Sequence, residues 1–224
     1  MPILNNLTIQ DKSGLYREFQ LDGTGKLVPS TTTTHIMDFT GVKDVSNYIM
    51  YRAYYGNTAL SGQIDMSDLV AVTGNNGCNT MFYGCTGLTG VNISSLATIT
   101  GGNGCYGMFQ GCFNITTMNL SALTTITATG ACNSMLSGCT RLESVTFGGL
   151  KASTFSGETN QFQYLFSATT GAQAPNGCTV HFPSNFDPSD PDHTFDASTL
   201  AGYPTFGGSA SYIHLAFDLP ATES

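Results

Sequence analysis

The sequence predicts a mainly β solenoid in which parallel strands stack at a repeat of 27 residues. Three observations carry this. First, Gly77-Cys-Asn-Thr-Met-Phe-Tyr-Gly-Cys85, Gly104-Cys-Tyr-Gly-Met-Phe-Gln-Gly-Cys112 and Ala131-Cys-Asn-Ser-Met-Leu-Ser-Gly-Cys139 recur at a fixed step of 27 residues, a period that marks units burying their apolar faces against one another. Second, each motif is followed by an apolar comb: Leu88, Val91, Ile93, Leu96 and Ile99, then Ile115, Met118, Leu120, Leu123 and Ile126, then Leu142, Val145, Phe147 and Leu150. Third, the central pair of each comb alternates with period two, as a strand with one buried face does.

Taken along the chain, residues 1–34 read as an anchor and linker. Leu7 to Gln10 and Leu15 to Leu21 form two short strands around the turn signal Asp11-Lys-Ser-Gly14, and Gly23 to Thr34 follows as linker. Residues 35–183 carry the repeats. A degenerate unit comes first, with Ile64, Met66, Leu69 and Val72 matching the later comb. Its motif half, Tyr51-Arg-Ala-Tyr-Tyr-Gly56, is expected to be one residue short, with Tyr51 and Thr58 at the cysteine positions. The three clear units place Cys78, Met81, Phe82 and Cys85, then Cys105, Met108, Phe109 and Cys112, then Cys132, Met135, Leu136 and Cys139 in the repeat core. Phe162-Gln-Tyr-Leu-Phe-Ser167 restates the motif and, after an insertion, Cys178-Thr-Val-His-Phe182 supplies a last strand, for about five repeats in all. The strands form one sheet, one rung per unit, and the Met-Phe motif forms the opposite wall as a tight turn or a single helical turn. Residues 184–224 are expected to be a β-rich cap.

Met81-Phe-Tyr-Gly-Cys-Thr-Gly-Leu-Thr-Gly-Val-Asn-Ile93 and Met108-Phe-Gln-Gly-Cys-Phe-Asn-Ile-Thr-Thr-Met-Asn-Leu120 resemble bacterial leucine-rich repeats of the BspA-like, Treponema pallidum type. The resemblance runs from about Tyr51 to Pro183, with Leu136 in place of the second aromatic as one departure. It implies a leucine-rich-repeat solenoid that binds through whichever outward columns vary, and it carries no ligand residues across. The stretches Cys178 to Phe186, Tyr203-Pro-Thr-Phe-Gly-Gly208 and Leu215 to Thr222 look similar to the C-terminal ends of repeat proteins encoded by gut phages and their hosts.

Composition narrows the function. Charged residues make up 10% of the 224, and the net charge is −8. Seven dispersed Lys and Arg are too few for a phosphate-binding footprint, so no nucleic-acid partner is expected. No apolar run approaches the ~20 residues of a membrane span, and Met1 to Gln20 does not read as a secretory signal. Six of the seven cysteines form two columns that step by whole repeats, and Cys178 stands alone; none pair two to four apart, which argues against zinc. A disulfide ladder is geometrically open at a rung spacing of ~5 Å, and free thiols buried in the core are the expected state.

The ligand face expected from periodicity is the outward column Asp65, Asn92, Asn119 and Thr146, with His181 outward on the last strand. Gln63, Gly90, Thr117 and Ser144 flank it on one side, and Ser67, Ser94, Ser121 and Gly148 on the other. It offers amides and hydroxyls to carbohydrate. The competing expectation is that Asn92 and Asn119 bond each other or loop backbone, because the face has no Trp, Tyr or Arg. Tyr48, Tyr51, Tyr54 and Tyr55 are expected to cap the open end of the core.

His35, His193 and His214 have no catalytic partner at a recognisable spacing, and none is evident for His181. The acidic stretch Asp187-Pro-Ser-Asp190-Pro-Asp192-His-Thr-Phe-Asp196 lacks the glycine turn and distal glutamate of a calcium hand and reads as a stiff surface turn. A hydrolase site at Asp187 to His193 is a minor alternative.

The expected function is therefore non-enzymatic, with no cofactor and no metal. The chain reads as a homo-oligomeric fibre, decoration or appendage protein of a phage particle, assembled in the bacterial cytoplasm. Its hairpin would dock onto other virion proteins, and its repeats would attach to a host or mucosal surface glycan or protein. The alternative is a bacterial cell-surface adhesin.

Overall fold

A computed structural model describes residues 7–10, 16–21, 27–29, 39–150, 161–167, 169–184 and 211–221. Among these residues the chain is strands and turns, with parallel sheets through the repeats and no helix. At the start, β1 (Leu7–Gln10) pairs antiparallel with β2 (Tyr16–Leu21), Leu7 opposite Phe19 and Gln10 opposite Tyr16. The stretch expected as linker contributes a third strand, β3 (Leu27–Pro29), antiparallel to β2. Leu27-Val28 keep the apolar composition of a strand, and Pro29 is tolerated because β3 lies at the edge.

The repeats then supply β4 (Ser61–Asp65), β5 (Ala71–Val72), β6 (Gly87–Asn92), β7 (Thr98–Ile99), β8 (Thr117–Asn119), β9 (Thr125–Ile126), β10 (Ser144–Thr146), β11 (Cys178–Pro183) and β12 (Ile213–Leu219). Two walls of parallel strands result. On the first, Ile64 lies beside Val91 and Met118 beside Val145, both 27 apart. Val145 then pairs with Val180, and Val180 with the half-buried Leu215, across longer separations in sequence. This wall is not the one sheet expected: β4-β6 and β8-β10-β11-β12 are separate ladders. β12, within the expected cap, is a further parallel rung.

A second wall, β5-β7-β9, was not anticipated. It pairs Val72 with Ile99 and Ile99 with Ile126, again 27 apart, and runs unbroken across the step where the first wall divides. The last residues of each comb, after the Leu69, Leu96 and Leu123 positions, thus form a short strand of their own.

The third wall is built of turns. Alternate peptide N–H groups donate to the next unit: Met50 to Gly77 O (2.8 Å), Cys78 to Gly104 O (2.7 Å), Cys105 to Ala131 O (2.8 Å) and Cys132 to Gln161 O (2.7 Å). Intervening groups donate three residues back, as Met81 does to Cys78 O at 3.1 Å. A left-handed residue recurs every fourth position, at Asn76, Thr80 and Gly84 in one unit and Asn103, Gly107 and Gly111 in the next. That recurrence excludes the helical turn that was one expectation, because an α-helix has negative φ throughout. It also explains the glycine column Gly56, Gly84, Gly111 and Gly138, whose φ values of 68° to 75° suit the third position of a tight turn.

These bonds correct the alignment of the first unit. Met50 N–H bonds Gly77 O as Cys78 N–H bonds Gly104 O, so Met50, not Tyr51, fills the first cysteine column, and Asn57, not Thr58, fills the second. The motif half has its full length, and the unit steps 28 residues from Met50 to Cys78. Both substitutes are buried, whereas Tyr51 and Thr58 are exposed. A thioether replaces a thiol easily, and the Asn57 amide oxygen accepts from the N–H groups of Ala59 (3.0 Å) and Leu60 (3.3 Å).

Every comb residue named above is buried, as are all twelve repeat-core positions. Between the walls, Tyr54 stacks on Phe82 (centroids 5.4 Å, 4° between planes) and Phe82 on Phe109 (5.7 Å, 5°). Leu136 interrupts this column. Phe147, Phe182 and Phe217 form a second stack at the other end, with centroids 5.7 and 5.8 Å apart.

Candidate functional site

The strand wall presents the expected column. Asp65 lies beside Asn92, Asn119 beside Thr146, and Thr146 beside His181. Asp65, Asn92 and Asn119 are exposed, and Thr146 and His181 are half-buried. The side-chain oxygens of Asp65, Asn92 and Asn119 accept from the chain itself. Asn92 Oδ1 accepts from Ser94 N (3.3 Å) and Oγ (2.8 Å), and Asn119 Oδ1 accepts from Ser121 N (2.9 Å). Asp65 Oδ1 accepts from Ser67 N and from Asn92 Nδ2, each at 3.0 Å. These are local side-chain turns that end each strand. The competing expectation, that these asparagines bond loop backbone, matches what is seen.

His181 has a partner that spacing did not reveal. Its Nδ1 lies 2.9 and 3.0 Å from the two oxygens of Asp218 on β12. The two residues are 37 apart in sequence and meet only because β12 lies alongside β11. Among the described residues no hydroxyl or thiol bonds the other ring nitrogen, so the pair ties the last two rungs together without forming a triad. His214 is exposed on β12, while His35, His193 and the acidic stretch Asp187 to Asp196 lie outside the described residues.

The tyrosines separate into two groups. Tyr54 ends the buried ring stack, as expected of a cap, whereas Tyr48, Tyr51 and Tyr55, together with Arg52, stand on the outside of the turn wall and do not cap the core. Tyr48 is 57% exposed and Tyr51 38%, and their rings meet edge to face at 5.8 Å. Tyr55 stacks on Tyr83 of the next unit at 4.7 Å and 5°. The Arg52 guanidinium lies 4.3 Å over the Tyr55 ring and 5.7 Å from the Tyr51 ring, a cation–π arrangement. Repeat spacing had drawn attention to the strands, whereas this cluster lies on the turns. The signal available was the density of Tyr and Arg in 48–55.

All seven cysteines are buried, and none forms a disulfide. The second column forms a ladder of thiol bonds in which Cys85 Sγ donates to Tyr54 O (3.0 Å), Cys112 Sγ to Phe82 O (3.0 Å) and Cys139 Sγ to Phe109 O (3.3 Å). Burial pushes Cys85, Cys139 and Cys178 up to about 12 and raises Cys112 and Cys132 well above the ordinary value. Such thiols stay protonated and act as packing groups instead of nucleophiles.

Among the described residues no three His, Cys, Asp or Glu converge as metal ligands, and no helix is long and apolar enough to cross a membrane. A scan of protein-family models finds no match, and neither the curated proteins nor the solved structures contain one.

Proposed function

We propose that the chain is a leucine-rich-repeat solenoid of the BspA-like type serving as a non-enzymatic attachment protein of a phage particle. The observation that carries this reading is the 27-residue register shared by three walls. It holds successive outward side chains in fixed columns over a continuous apolar core. A scaffold of that kind presents a rigid surface whose outward residues can change without disturbing the fold. The surface is polar and sparsely charged, which suits recognition of a host or mucosal glycan or protein. In this reading the β1-β2-β3 sheet docks onto other virion proteins, and the chain is homo-oligomeric, as closed assemblies usually are.

Mass spectrometry of purified phage particles, beside purified host envelope, tests the proposal. Peptides from this chain should appear in particles at a copy number matching a symmetric assembly. Abundance in the envelope with absence from particles overturns the virion reading in favour of a bacterial surface adhesin.

A further inference from the structure

The first row of the turn wall differs from the rows stacked on it. The cross-unit bonds align Tyr51 with Asn79, Tyr106, Asn133 and Gln163, and Arg52 with Thr80, Gly107, Ser134 and Tyr164. Asparagine, threonine, serine and glycine all satisfy these positions, so the fold itself does not require the large side chains of the first row. Arg52 even stands against local preference: its φ is +56°, in the left-handed region where glycine is favoured, and Gly107 occupies the same column at +52°.

The chemistry of the row is specific. Tyr51 and Tyr55 fix the guanidinium of Arg52 by its contacts with their rings, and Tyr83 extends the platform by stacking on Tyr55. Among the described residues no carboxylate pairs with Arg52, although the chain carries 15 Asp and Glu against 7 Lys and Arg. A guanidinium with donors to spare, held beside exposed tyrosine rings, recognises a carboxylate through its fork. The neighbouring ring faces suit the apolar C–H face of a sugar. One isolated arginine is a poor match for a nucleic-acid backbone, which needs several cations.

We infer that the face formed by Tyr48, Tyr51, Arg52, Tyr55 and Tyr83 binds a saccharide bearing a carboxylate, such as a sialic or uronic acid. This rests on the attachment reading for its purpose but not for its chemistry. The particle mass spectrum tests where the protein resides, and binding of free sugar tests this face.

The experiment is saturation-transfer NMR and calorimetry on the full chain with 3′-sialyllactose and a galacturonic acid oligomer, against lactose as the neutral control. At least one acidic ligand should bind, with lactose about tenfold weaker or more. Arg52→Gly should melt no lower than the parent chain, because glycine suits the left-handed position, yet bind the acidic ligand about tenfold more weakly or worse. Tyr51→Ser should weaken binding too. Failure of the folded chain to bind either acid, equal affinity for lactose, or retained affinity in Arg52→Gly would each overturn the inference.

Discussion

On the strand wall, Asp65, Asn92 and Asn119 direct their oxygens into the chain's own turns. On the turn wall, Tyr48 and Tyr51 are exposed, and among the described residues the Arg52 guanidinium meets tyrosine rings. Both walls share the 27-residue step through the clear repeats, so periodicity does not distinguish them. What does is whether an outward side chain has a structural duty. Asparagine after a strand terminates it, whereas a tyrosine or arginine beside a tight turn does nothing for the turn. Outward residues relieved of structural work are the ones left for recognition.

The sharpest way to break this comparison is from the inside. Phe82 lies between Tyr54 and Phe109, and it is fully buried behind the turn wall. Phe82→Ala should lower unfolding free energy by about 3–5 kcal/mol in a denaturant titration. A loss under about 1 kcal/mol would mean that the turn wall is not tied to the core as the strand wall is.

The buried thiols give a pH test. Cys85, Cys139 and Cys178 titrate near 12 in the folded chain against an ordinary value of 9.0, so above about pH 9 the unfolded chain releases protons that the folded chain keeps. Stability is therefore complete below pH 9 and falls as pH climbs towards 12. The slope contributed by each thiol is about 1.4 kcal/mol per pH unit. Melting curves of the parent and Cys139→Ala between pH 8 and 10.5 should converge by about that slope. Parallel curves would mean that the Cys139 thiol is not held protonated.

A smaller effect, of opposite sign, separates structural from tolerated positions on the turn wall. Thr80 has φ +49°, and its buried Oγ1 has no hydrogen-bond partner among the described residues. Thr80→Gly should stabilise the chain by about 1 kcal/mol, read from the shift in denaturation midpoint. A destabilised variant would show that the side chain has a structural role after all. The smallest effect belongs to the strand wall. Asn92→Ala removes the acceptor for Ser94 and the donor to Asp65 on an exposed edge, and a loss of about 0.5–1 kcal/mol in the same titration is expected. No loss would place Asn92 among the outward residues without structural duty.

The inward half of this protein was readable from its sequence. Ile64, Val91, Met118 and Val145 declare their stacking by spacing alone, since burial selects apolar residues at each equivalent position, and stacking repeats that selection every 27 residues. Short strands such as Ala71–Val72 left too few residues to show period two, so the second wall was hidden. The one-residue displacement of Met50 and Asn57 was equally hidden, because a tyrosine adjacent to a buried position resembles the aromatic residue beside it until backbone bonds set the register.

The sequence by itself determined the period, the core and the columns of cysteine, because those follow from local burial repeated at a constant step. Only the tertiary structure decided which outward side chains have partners. The His181–Asp218 pair and the ring contacts of Arg52 depend on chain directions and rung order. A polar side chain's partner is chosen by distance and angle in space, and exposed positions lack the selection for apolar residues that would record that choice in the sequence.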